Sequence, residues 1–598
     1  MIGTNIIMSE DKSIQKGEFM FMSWTKHYER WMQKEDLEKE LKSELLSIQQ
    51  DKSALKEHFH TYLQFGTAGI RGILGPGTNR LNIYMIRKAA KGVATYILEL
   101  GEEAKRAGVV IAYDNRRKSP EFAMEVAKTL GFHGIKSYVF ESLRTTPELS
   151  FAVRHLGTTA GIMITASHNP PEYNGLKVYG KDGGQVTSEV GEAIVKKVNA
   201  VKDELDVEVA DEEELKQLGL LEMIGESVDQ AYLENLRTVI INKELVEEQG
   251  KELNIVYTPF HGTGLRPVTK GLEEAGFTNV TIVKEQAEPD EDFTHAKSPN
   301  PEEHSAFELA IEYGERTNAD LLIGTDPDAD RMGIAVRFPN GKYEVLTGNQ
   351  IGAILLHYLL NEKKKRNEFP ENGSMIKTIV TSELGQAIAE AHDVKTYDVL
   401  TGFKYISEII ESYDRTKEHE FLFGYEESYG YLIKTFARDK DAVQACLLAA
   451  EVAAYYKKRD MTLYDALMEI YETYGYYRED LKSLRLEGID GAQRIQAILS
   501  ELRENPLQEI AGKQVKVYED YEASTRTFVE SGKTETIDLP QSNVLKWKLA
   551  DDAWVCARPS GTEPLIKFYF GVKENSLEES ERLLSELVEY IMNLVNKS

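Results

Sequence analysis

Apolar runs of strand length recur along the chain, and each is followed by a turn rich in Gly, Pro, Asn or Asp and then by a helical pattern of apolar residues. Such blocks begin at residues 109–113, 253–257 and 376–380. A repeated strand–turn–helix order is typical of α/β domains with parallel strands. The pattern therefore predicts three related α/β domains.

The beginning of the chain has a different pattern. Between residues 24 and 63 the apolar positions Tyr28, Trp31, Leu37, Leu41 and Leu45 have helical spacing, with Lys and Glu between them. This spacing predicts an amphipathic helical segment that packs on the first domain. Residues 1–21 are polar and contain several Met residues, and they are predicted to form a disordered extension.

The last hundred residues also differ. Two strand-like runs, 554–557 and 566–570, flank a turn, and Ser576 and Glu579 have capping-box spacing before a final apolar-periodic helix. These features predict a smaller α+β unit.

Two charged segments stand out elsewhere: the acidic segment 201–219 is a plausible domain boundary, and the basic cluster 363–366 is predicted to be a solvated surface loop.

Length and charge narrow the class of protein. A chain of 598 residues is too long for one core and indicates three to five domains. Its 71 basic and 99 acidic residues give a net charge of −28, which argues against a nucleic-acid partner. No apolar run approaches membrane-spanning length, the start lacks a signal-peptide layout, and Cys446 and Cys556 are too few for a disulfide framework. We therefore predict no membrane association, buried free thiols and a cytoplasmic location.

A hydroxyl follows one of the predicted strands. Residues 165–170, Thr-Ala-Ser-His-Asn-Pro, come directly after the apolar run 161–164. Prolines 170 and 171 prevent a helix from starting there, so Ser167 is predicted to lie on an ordered, exposed turn at the strand end, where α/β sheets bind ligands. A lone Ser-His pair is more often an ordinary turn, and other stretches of the chain decide between these interpretations.

Three carboxylates follow another strand end. Asp326, Asp328 and Asp330 alternate after the apolar run 321–324, and in an extended segment they would point to one side and suit a hard divalent cation. An EF-hand calcium loop would need Gly and Glu where Arg331 and Arg337 stand, so magnesium is the better hypothesis. A solvated acidic turn is the alternative, although clustered carboxylates repel one another.

Three further stretches contain candidate binding groups. Residues 558–564 and Lys567 offer a guanidinium, an ammonium, hydroxyls and turn N–H groups suited to a phosphate, although a plain hairpin turn is the alternative. Residues 424–430 contain two adjacent Glu residues whose carboxylates could accept hydrogen bonds from sugar hydroxyls, which is a weak signal alone. Residues 438–441 either present cations or form a salt-bridged helix start. The Gly-rich stretches at 262–267 and 531–534 match neither dinucleotide nor P-loop fingerprints.

Residues 165–170, 326–331, 424–428 and 558–567, in this order, resemble the four signature loops of the α-D-phosphohexomutase family, and residues 65–72 resemble its opening segment. The resemblance implies an α/β fold of four domains around a central cleft: three related α/β domains with mixed sheets and a C-terminal α+β domain. The implied domains are 22–205 with the phosphoserine loop, 206–336 with the metal loop, 337–475 with the sugar-binding loop and 476–598 with the phosphate-binding loop.

The resemblance also implies roles for individual residues. Ser167 would be the phosphoserine that donates and recovers a phosphoryl group, and it would share Mg²⁺ with Asp326, Asp328 and Asp330. Arg71 would lie beside it, and His168, Lys177 and Lys440 would be acid–base or charge-stabilising groups. The implied substrate-binding residues are Arg331, Thr401, Lys404, Glu426, Ser428, Arg558, Ser560, Gly561, Thr562 and Lys567.

The implied activity is the interconversion of glucose 1-phosphate and glucose 6-phosphate through glucose 1,6-bisphosphate, with small-molecule sugar phosphates as partners and neither nucleic acid nor membrane. Residues 424–428 read Gly-Tyr-Glu-Glu-Ser instead of the shorter Gly-Glu-Glu-Ser, which resembles the branch that includes phosphopentomutases, so mannose and pentose phosphates stay open as substrates. Two other hypotheses are a metal-dependent sugar phosphatase and a non-catalytic sugar-phosphate sensor. The sequence does not indicate the oligomeric state.

Overall fold

A computed structural model of the chain describes residues 24–66, 69–486, 488–560 and 565–597. The predicted extension 1–21, together with Gly561 and Thr562, lies outside the described residues. The chain folds into four units, each built on its own sheet. In the described part of the chain, no helix combines the length and the apolar character needed to span a bilayer.

The N-terminal segment forms helices α1 (24–33), α2 (Lys39–Ile48) and α3 (Lys52–Phe59). The buried Trp31 ring lies 5.3 Å from the ring of Tyr84, and its Nε1 donates to Glu204 Oε1 at 2.8 Å. Both partners belong to the first unit. The prediction that this segment packs on the first domain is therefore confirmed.

The first unit has a mixed sheet in the order β1-β5-β4-β2-β3-β6, with β4, β2, β3 and β6 parallel and β1 and β5 antiparallel to their neighbours. Its elements are β1 (Gly69–Ile73), α4 (Ile83–Leu100), α5 (Glu102–Ala107), β2 (Val109–Tyr113), α6 (Ser119–Phe132), β3 (Ser137–Phe140), α7 (Thr146–Leu156), β4 (Ala160–Ile164), β5 (Tyr173–Gly180), α8 (Ser188–Ala200), α9 (Glu212–Gln217) and β6 (Leu221–Ile224). The sheet thus takes β6 from beyond the predicted boundary at residue 205. The connection returns to this unit because Leu215 of α9 is buried against Gly131 of α6.

The second unit has the sheet order β11-β10-β9-β7-β8, in which β9, β7 and β8 are parallel. Its elements are α10 (Glu226–Leu236), α11 (Lys243–Gln249), β7 (Ile255–Thr258), α12 (Leu265–Ala275), β8 (Val280–Ile282), the 3-10 turns Lys284–Gln286 and His304–Phe307, α13 (Glu308–Thr317), β9 (Leu321–Thr325), β10 (Met332–Arg337) and β11 (Tyr343–Val345). As predicted, the three aspartates follow a buried strand, β9.

The third unit has the sheet order β13-β12-β14-β15. Its elements are α14 (Gly348–Lys365), β12 (Gly373–Thr378), α15 (Glu383–Glu390), β13 (Lys395–Val399), α16 (Phe403–Thr416), β14 (Glu420–Glu426), β15 (Gly430–Leu432), α17 (Ala442–Lys457) and α18 (Leu463–Tyr474). The basic cluster 363–366 is the end of α14 and not the predicted loop. Lysines in a last helical turn offset the partial negative charge of the helix carboxyl end.

The fourth unit is an antiparallel sheet in the order β16-β23-β22-β21-β18-β19-β20 with two long helices. Its elements are β16 (Tyr476–Arg485), α19 (Gly488–Glu504), β17 (Glu509–Ile510), β18 (Lys513–Asp520), β19 (Thr525–Phe528), β20 (Lys533–Thr536), β21 (Leu545–Leu549), the 3-10 turn Ala550–Asp552, β22 (Trp554–Pro559), β23 (Leu565–Glu574) and α20 (Leu577–Lys597). The backbone N–H of Glu579 donates to Ser576 Oγ at 3.2 Å, which confirms the predicted cap of the last helix. The predicted fold, three α/β domains with mixed sheets and a C-terminal α+β domain, is confirmed.

One continuous apolar core joins the first three units. It includes Phe151 of the first unit, Tyr232 of the second and Leu447 of the third, which lies on α17. Helix α17 is apolar on all sides and almost wholly buried, as expected of a central helix. The fourth unit has a separate core and meets the third unit through a smaller patch in which Ile379 lies near Trp554.

Candidate active site

A cavity of 680 Å³ lies where the four units meet. Each of the four predicted loops contributes at least one residue to the wall of this cavity. The predicted site residues that line the cavity are His168, Arg331, Thr401, Glu426, Ser428, Lys440, Arg558 and Lys567. The structure therefore brings together groups that are up to four hundred residues apart along the chain.

Ser167 lies at the end of β4 beside this cavity. Its Oγ donates to Asp326 Oδ2 at 2.9 Å and lies 3.2 Å from His168 Nδ1. The predicted turn is present, but the prediction that it is exposed is wrong: Ser167 is only 3% exposed because the aspartate loop of the second unit covers it. Its φ of 52° is left-handed, and such strain in a non-Gly residue is characteristic of functional sites.

One buried guanidinium holds the backbone of the Ser167 turn. Arg116, at the end of β2, is 1% exposed and directs both terminal nitrogens at carbonyl oxygens of this turn. These acceptors belong to Ser167 (2.6 Å), Asn169, Pro170 (2.8 Å) and Tyr173 (2.9 Å). Asp114 balances the charge, with its Oδ2 3.4 Å from Arg116 Nε. Arg116 thereby fixes the position from which the Ser167 hydroxyl acts.

The aspartates come together in a tight turn and not in the predicted extended segment. Asp326 Oδ1 accepts the N–H groups of Asp330 (3.1 Å) and Arg331 (2.9 Å), and Ala329 has a left-handed φ of 52°. The turn brings the three carboxylates close to one another. Asp326, Asp328 and Asp330 each offer an oxygen such that the three atoms lie within 4.8 Å of one another.

Two lysines face these carboxylates. Lys177 Nζ donates to Asp328 Oδ2 at 2.7 Å, and Lys440 Nζ lies 3.1 Å from Asp330 Oδ2. Burial opposes charge on both lysines, but the neighbouring carboxylates outweigh it and raise the pKa of Lys177 and of Lys440. Both lysines are therefore charged at neutral pH.

The three carboxylates differ in their tendency to ionise. Burial and the charges of Asp328 and Asp330 raise the pKa of Asp326 well above its ordinary value. Burial also opposes ionisation of Asp328 and Asp330, but the Lys177 ammonium group lowers the pKa of Asp328, and Lys440 together with Lys177 lowers the pKa of Asp330. Asp328 and Asp330, each beside a lysine ammonium group, therefore ionise more readily than Asp326.

The donor set fits a hard divalent cation. Among the described residues, Asp328 Oδ1 and Asp330 Oδ1 are buried oxygens without a hydrogen-bond partner. Buried carboxylate oxygens without partners are costly unless they coordinate a metal. Asp326, Asp328 and Asp330 could thus bind a metal ion.

Thr146, the first residue of α7, supports this metal loop from the first unit. Its Oγ1 donates to Asp328 Oδ2 at 2.7 Å, and its N–H donates to the carbonyl oxygen of Asp328 at 2.9 Å. The side-chain bond fixes the orientation of a candidate metal ligand. Such outer hydrogen bonds tune metal affinity.

His168 is half-buried beside two arginines. Burial, followed by the charges of Arg331 and Arg71, lowers the pKa of His168 well below its ordinary value, so the imidazole is neutral at pH 7. Arg71 lies on β1, and its Nη1 donates to Asn169 Oδ1 at 2.7 Å beside the Ser167 turn. Arg331 donates through Nη1 to Glu302 Oε1 at 2.5 Å.

The candidate sugar region is formed by the third unit. Glu426 Oε1 accepts the N–H of Gly402 at 2.9 Å, and burial raises the pKa of Glu426 to about 7. Thr401 Oγ1 is buried and, within the described part of the chain, has no hydrogen-bond partner. Lys404 is not among the side chains that line the cavity; its Nζ donates to Ser188 Oγ at 3.2 Å.

The fourth unit contributes two cations. Arg558 on β22 lies directly opposite Lys567 on the antiparallel β23, and both side chains line the cavity. Like charges in directly opposed positions destabilise a sheet unless an anion lies between them. Ser560 N–H donates to the carbonyl oxygen of Leu565 at 2.8 Å.

The sequence interpretation missed Arg116 and Thr146. Arg116 lies in a turn after β2 that was recognised only as a turn, although a buried Asp-x-Arg pattern at a strand end could have indicated an ion pair. Thr146 follows the N-cap residue Thr145 at the start of α7. Neither contact with a distant loop has a local sequence signal.

Comparisons with known proteins agree with this architecture. Family models described as phosphoglucomutase/phosphomannomutase α/β/α domains I, II and III match residues 62–204, 230–338 and 347–474. The phosphoglucomutase of Staphylococcus haemolyticus (strain JCSC1435) is 41% identical over 524 residues, 88% of this chain and 93% of that protein. The phosphoglucomutase of Staphylococcus aureus (strain USA300) is 40% identical over 543 residues, 90% of this chain and 95% of that protein.

Solved structures show the same fold at low sequence identity. The open form of pp63/parafusin, a phosphoglucomutase from Paramecium, has a TM-score of 0.66 and 16% identity, and the match covers 89% of this chain and 95% of that one. A phosphoglucomutase/phosphomannomutase family protein from Burkholderia thailandensis has a TM-score of 0.61 and 17% identity, and the match covers 89% and 97%. The chain therefore belongs to the phosphoglucomutase/phosphomannomutase family of α-D-phosphohexomutases and is an isomerase of the phosphotransferase type.

Proposed function

We propose that this protein interconverts glucose 1-phosphate and glucose 6-phosphate through a phosphoserine at Ser167 and a glucose 1,6-bisphosphate intermediate. The observation that carries the proposal is that Ser167, hydrogen-bonded within the carboxylate cluster, directly precedes His168, which lines the same cavity as Arg558 and Lys567. A sugar phosphate would place a hydroxyl near Ser167 and its phosphate near Arg558 and Lys567. The Staphylococcus relatives, both phosphoglucomutases, support glucose as the sugar.

The proposed reaction has two phosphoryl transfers. In the first, the bond between phosphorus and Ser167 Oγ breaks while the free sugar hydroxyl attacks phosphorus, so the sugar becomes a bisphosphate. In the second, after the bisphosphate has turned over in the cavity, Ser167 Oγ attacks the other phosphate and the bond from phosphorus to the sugar oxygen breaks. In each transfer the attacking hydroxyl loses one proton and the leaving oxygen gains one; the leaving oxygen is Ser167 Oγ in the first step and the sugar oxygen in the second.

The residues around Ser167 have distinct proposed tasks. Neutral His168, 3.2 Å from Ser167 Oγ, can accept or return the proton of this hydroxyl. The charged Lys177 and Lys440 orient the carboxylates and reduce repulsion of the incoming phosphate. Mg²⁺, when it is held by Asp326, Asp328 and Asp330, adds positive charge next to the transferred phosphoryl group.

The remaining proposed contacts hold the substrate in either orientation. Arg558, Ser560, Gly561, Thr562 and Lys567 would bind whichever phosphate is not reacting, because a guanidinium fork and turn N–H groups fit any phosphate dianion. The sugar hydroxyls would form hydrogen bonds with Glu426, Ser428 and Thr401. Arg331 and Lys404 would add cations at the edge of this region, for which Lys404 would have to leave Ser188.

The two cysteines suggest where the reaction takes place. Cys446 and Cys556 are both buried and free. Free thiols in a large enzyme are typical of a reducing compartment, so we place the protein in the cytoplasm.

The test combines a product assay with mass spectrometry. Incubation with glucose 1-phosphate and a trace of glucose 1,6-bisphosphate should yield glucose 6-phosphate, and the peptide that contains Ser167 should carry one phosphoryl group. Release of free phosphate without glucose 6-phosphate would instead identify a phosphatase. Binding of the sugar phosphate without phosphorylation of Ser167 would identify a sensor. Higher turnover with mannose or pentose phosphates than with glucose phosphates would identify one of those sugars as the preferred substrate.

A further inference from the structure

A second cavity, of 470 Å³, lies at the opposite edge of the third sheet from the active site. Strand β14 begins at this cavity with Glu420 and ends at the active site with Glu426. Asn372, immediately before β12, also lines it. The second cavity is therefore separate from the candidate active site, and its volume is in the range of small-molecule sites, roughly 300–1,000 Å³.

Three lysines line this cavity without a protein partner. Among the described residues, the ammonium groups of Lys363, Lys417 and Lys434 make neither an ion pair nor a hydrogen bond, and all three residues line the cavity. In contrast, the neighbouring Lys365 and Arg366 are paired, at 2.7 Å with Glu362 and at 2.9 Å with Glu244. Lys364 likewise has no ion pair among the described residues, but it is exposed and does not line the cavity.

Helix electrostatics explains only part of this arrangement. Lys363 lies in the last turn of α14 and Lys417 caps α16, where lysine is favoured by the helix dipole. Lys434 follows β15 and belongs to neither helix. It is half-buried, and burial together with the Lys363 charge lowers the pKa of Lys434, so the protein alone leaves this cation poorly balanced.

The acidic residues that line the cavity form no ion pair with these three lysines among the described residues. Asp414 and Glu420 line the cavity, but Asp414 is hydrogen-bonded to the Arg438 guanidinium. His419 lines it as well. The apolar wall of the cavity consists of Ile241, Leu359, Ile410, Phe421, Leu422 and Ile433.

We propose that this second cavity binds a phosphorylated small molecule that carries a flat apolar ring, of the nucleoside diphosphate class. Its phosphates would lie between Lys363, Lys417 and Lys434, because charge-assisted bonds to phosphate are strong. Its ring would cover the apolar wall beside Phe421, and a sugar hydroxyl would reach Glu420. This inference uses none of the active-site groups, and only the blocking of the active site in its test rests on the function proposed above.

The test is calorimetric titration of the full-length protein with ADP in the presence of saturating glucose 6-phosphate, which occupies the active site. We expect saturable binding of one ADP per chain. Lys434→Gln should weaken this binding about tenfold or more, and so should Lys417→Gln, whose exposed position at the end of α16 ensures that the variant folds. Lys364→Gln, an exposed neighbour that does not line the cavity, is the matched control and should bind like wild type.

Other results would overturn the proposal. Absence of saturable binding, displacement of ADP by glucose 6-phosphate, or equal affinity in the Lys417→Gln variant and in wild type would each exclude this site. Inorganic pyrophosphate is the second probe and should bind more weakly than ADP. Equal affinity for pyrophosphate would show that the apolar wall takes no part, which contradicts the proposed ligand class.

Discussion

The two ends of the active-site cavity are built differently. The reacting end, Ser167 with the three aspartates, is buried, and every charged group there has a partner in another loop of the first three units. The distal end, Arg558 with Lys567, is half-buried and lies on a unit with its own core. The first end is joined to one continuous apolar core, whereas the second meets that body through a smaller patch.

This difference indicates a division of labour. Phosphoryl transfer depends on in-line placement within a fraction of an ångström, so its groups benefit from a rigid, mutually hydrogen-bonded setting. Recognition of a phosphate needs only cations that can approach it. Substitutions at the reacting end should therefore lower kcat and stability, whereas substitutions at the distal end should mainly raise KM.

The largest expected effect comes from Ser167→Ala. Loss of the nucleophile should lower turnover by on the order of 10⁴-fold or more. Binding of glucose 6-phosphate should persist, because Arg558 and Glu426 are unchanged. A coupled assay and calorimetry check these outcomes, and turnover like that of wild type in this variant would refute the role of Ser167.

Arg116→Met should separate rigidity from chemistry at the reacting end. The change leaves Asp114 buried without its cation and frees the carbonyl groups of the Ser167 turn. We expect a loss of unfolding free energy of about 3–5 kcal/mol and a fall in kcat of roughly 100-fold. Denaturant titration and steady-state kinetics measure both quantities.

Arg116→Lys is the control for that prediction. An ammonium preserves the charge opposite Asp114 but cannot reach all the carbonyl oxygens with the geometry of a guanidinium. Relative to Arg116→Met, Arg116→Lys should restore the free energy of unfolding more completely than it restores kcat. Equal recovery of both would mean that Arg116 acts only on folding.

Arg558→Ala tests the distal end. Loss of a charge-assisted bond of about 2 kcal/mol should raise KM roughly 30-fold with little change in kcat. Stability should be unchanged or slightly higher, because Lys567 loses a like charge directly opposite it. Lys533→Ala on the exposed strand β20 is the control, and a fall in kcat without a change in KM would contradict the assignment.

Thr146→Val probes the support of the metal loop. The variant keeps the shape of the side chain but removes the bond to Asp328 Oδ2, and Mg²⁺ should bind about tenfold more weakly. Thr146→Ser retains a hydroxyl and should bind Mg²⁺ like wild type. Direct titration of the metal, without substrate, measures this effect independently of turnover.

The smallest effect concerns pH. Because burial raises the pKa of Glu426 to about 7, this carboxyl is protonated below pH 7 and is a poorer acceptor of sugar hydroxyls there. We expect kcat/KM to fall a few-fold more between pH 8 and pH 6 in wild type than in Glu426→Gln, which does not titrate. Parallel profiles would exclude Glu426 as the titrating group.

Much of this organisation could be predicted from the sequence. Periodicity gave β2 and the strand before the Ser167 turn, because buried parallel strands are continuous apolar runs. It did not reveal that β6 belongs to the first sheet, since its pairing with β3 joins residues about eighty positions apart. Local patterns contain no information on which distant strand offers a free edge.

The site shows the same limit. Residue types indicated a nucleophile, a metal loop and a phosphate turn, because these chemistries need particular atoms. Burial of Ser167 and the curled conformation of the aspartate turn were predicted incorrectly, since both depend on contacts with other units. The tasks of Arg116 and Thr146 were missed for the same reason.

The aspartate turn is bonded on both sides to parts of the chain that are made at very different times. Asp328 is bonded to Thr146 of α7, and the carbonyl oxygen of Ala329 accepts the N–H of Ala442, the first residue of α17, at 3.2 Å. During synthesis the turn leaves the ribosome more than a hundred residues before Ala442 does. The acidic site therefore acquires its final shape only after the third unit has emerged, and a truncated chain that ends before α17 would contain all three aspartates without the complete set of bonds that holds them.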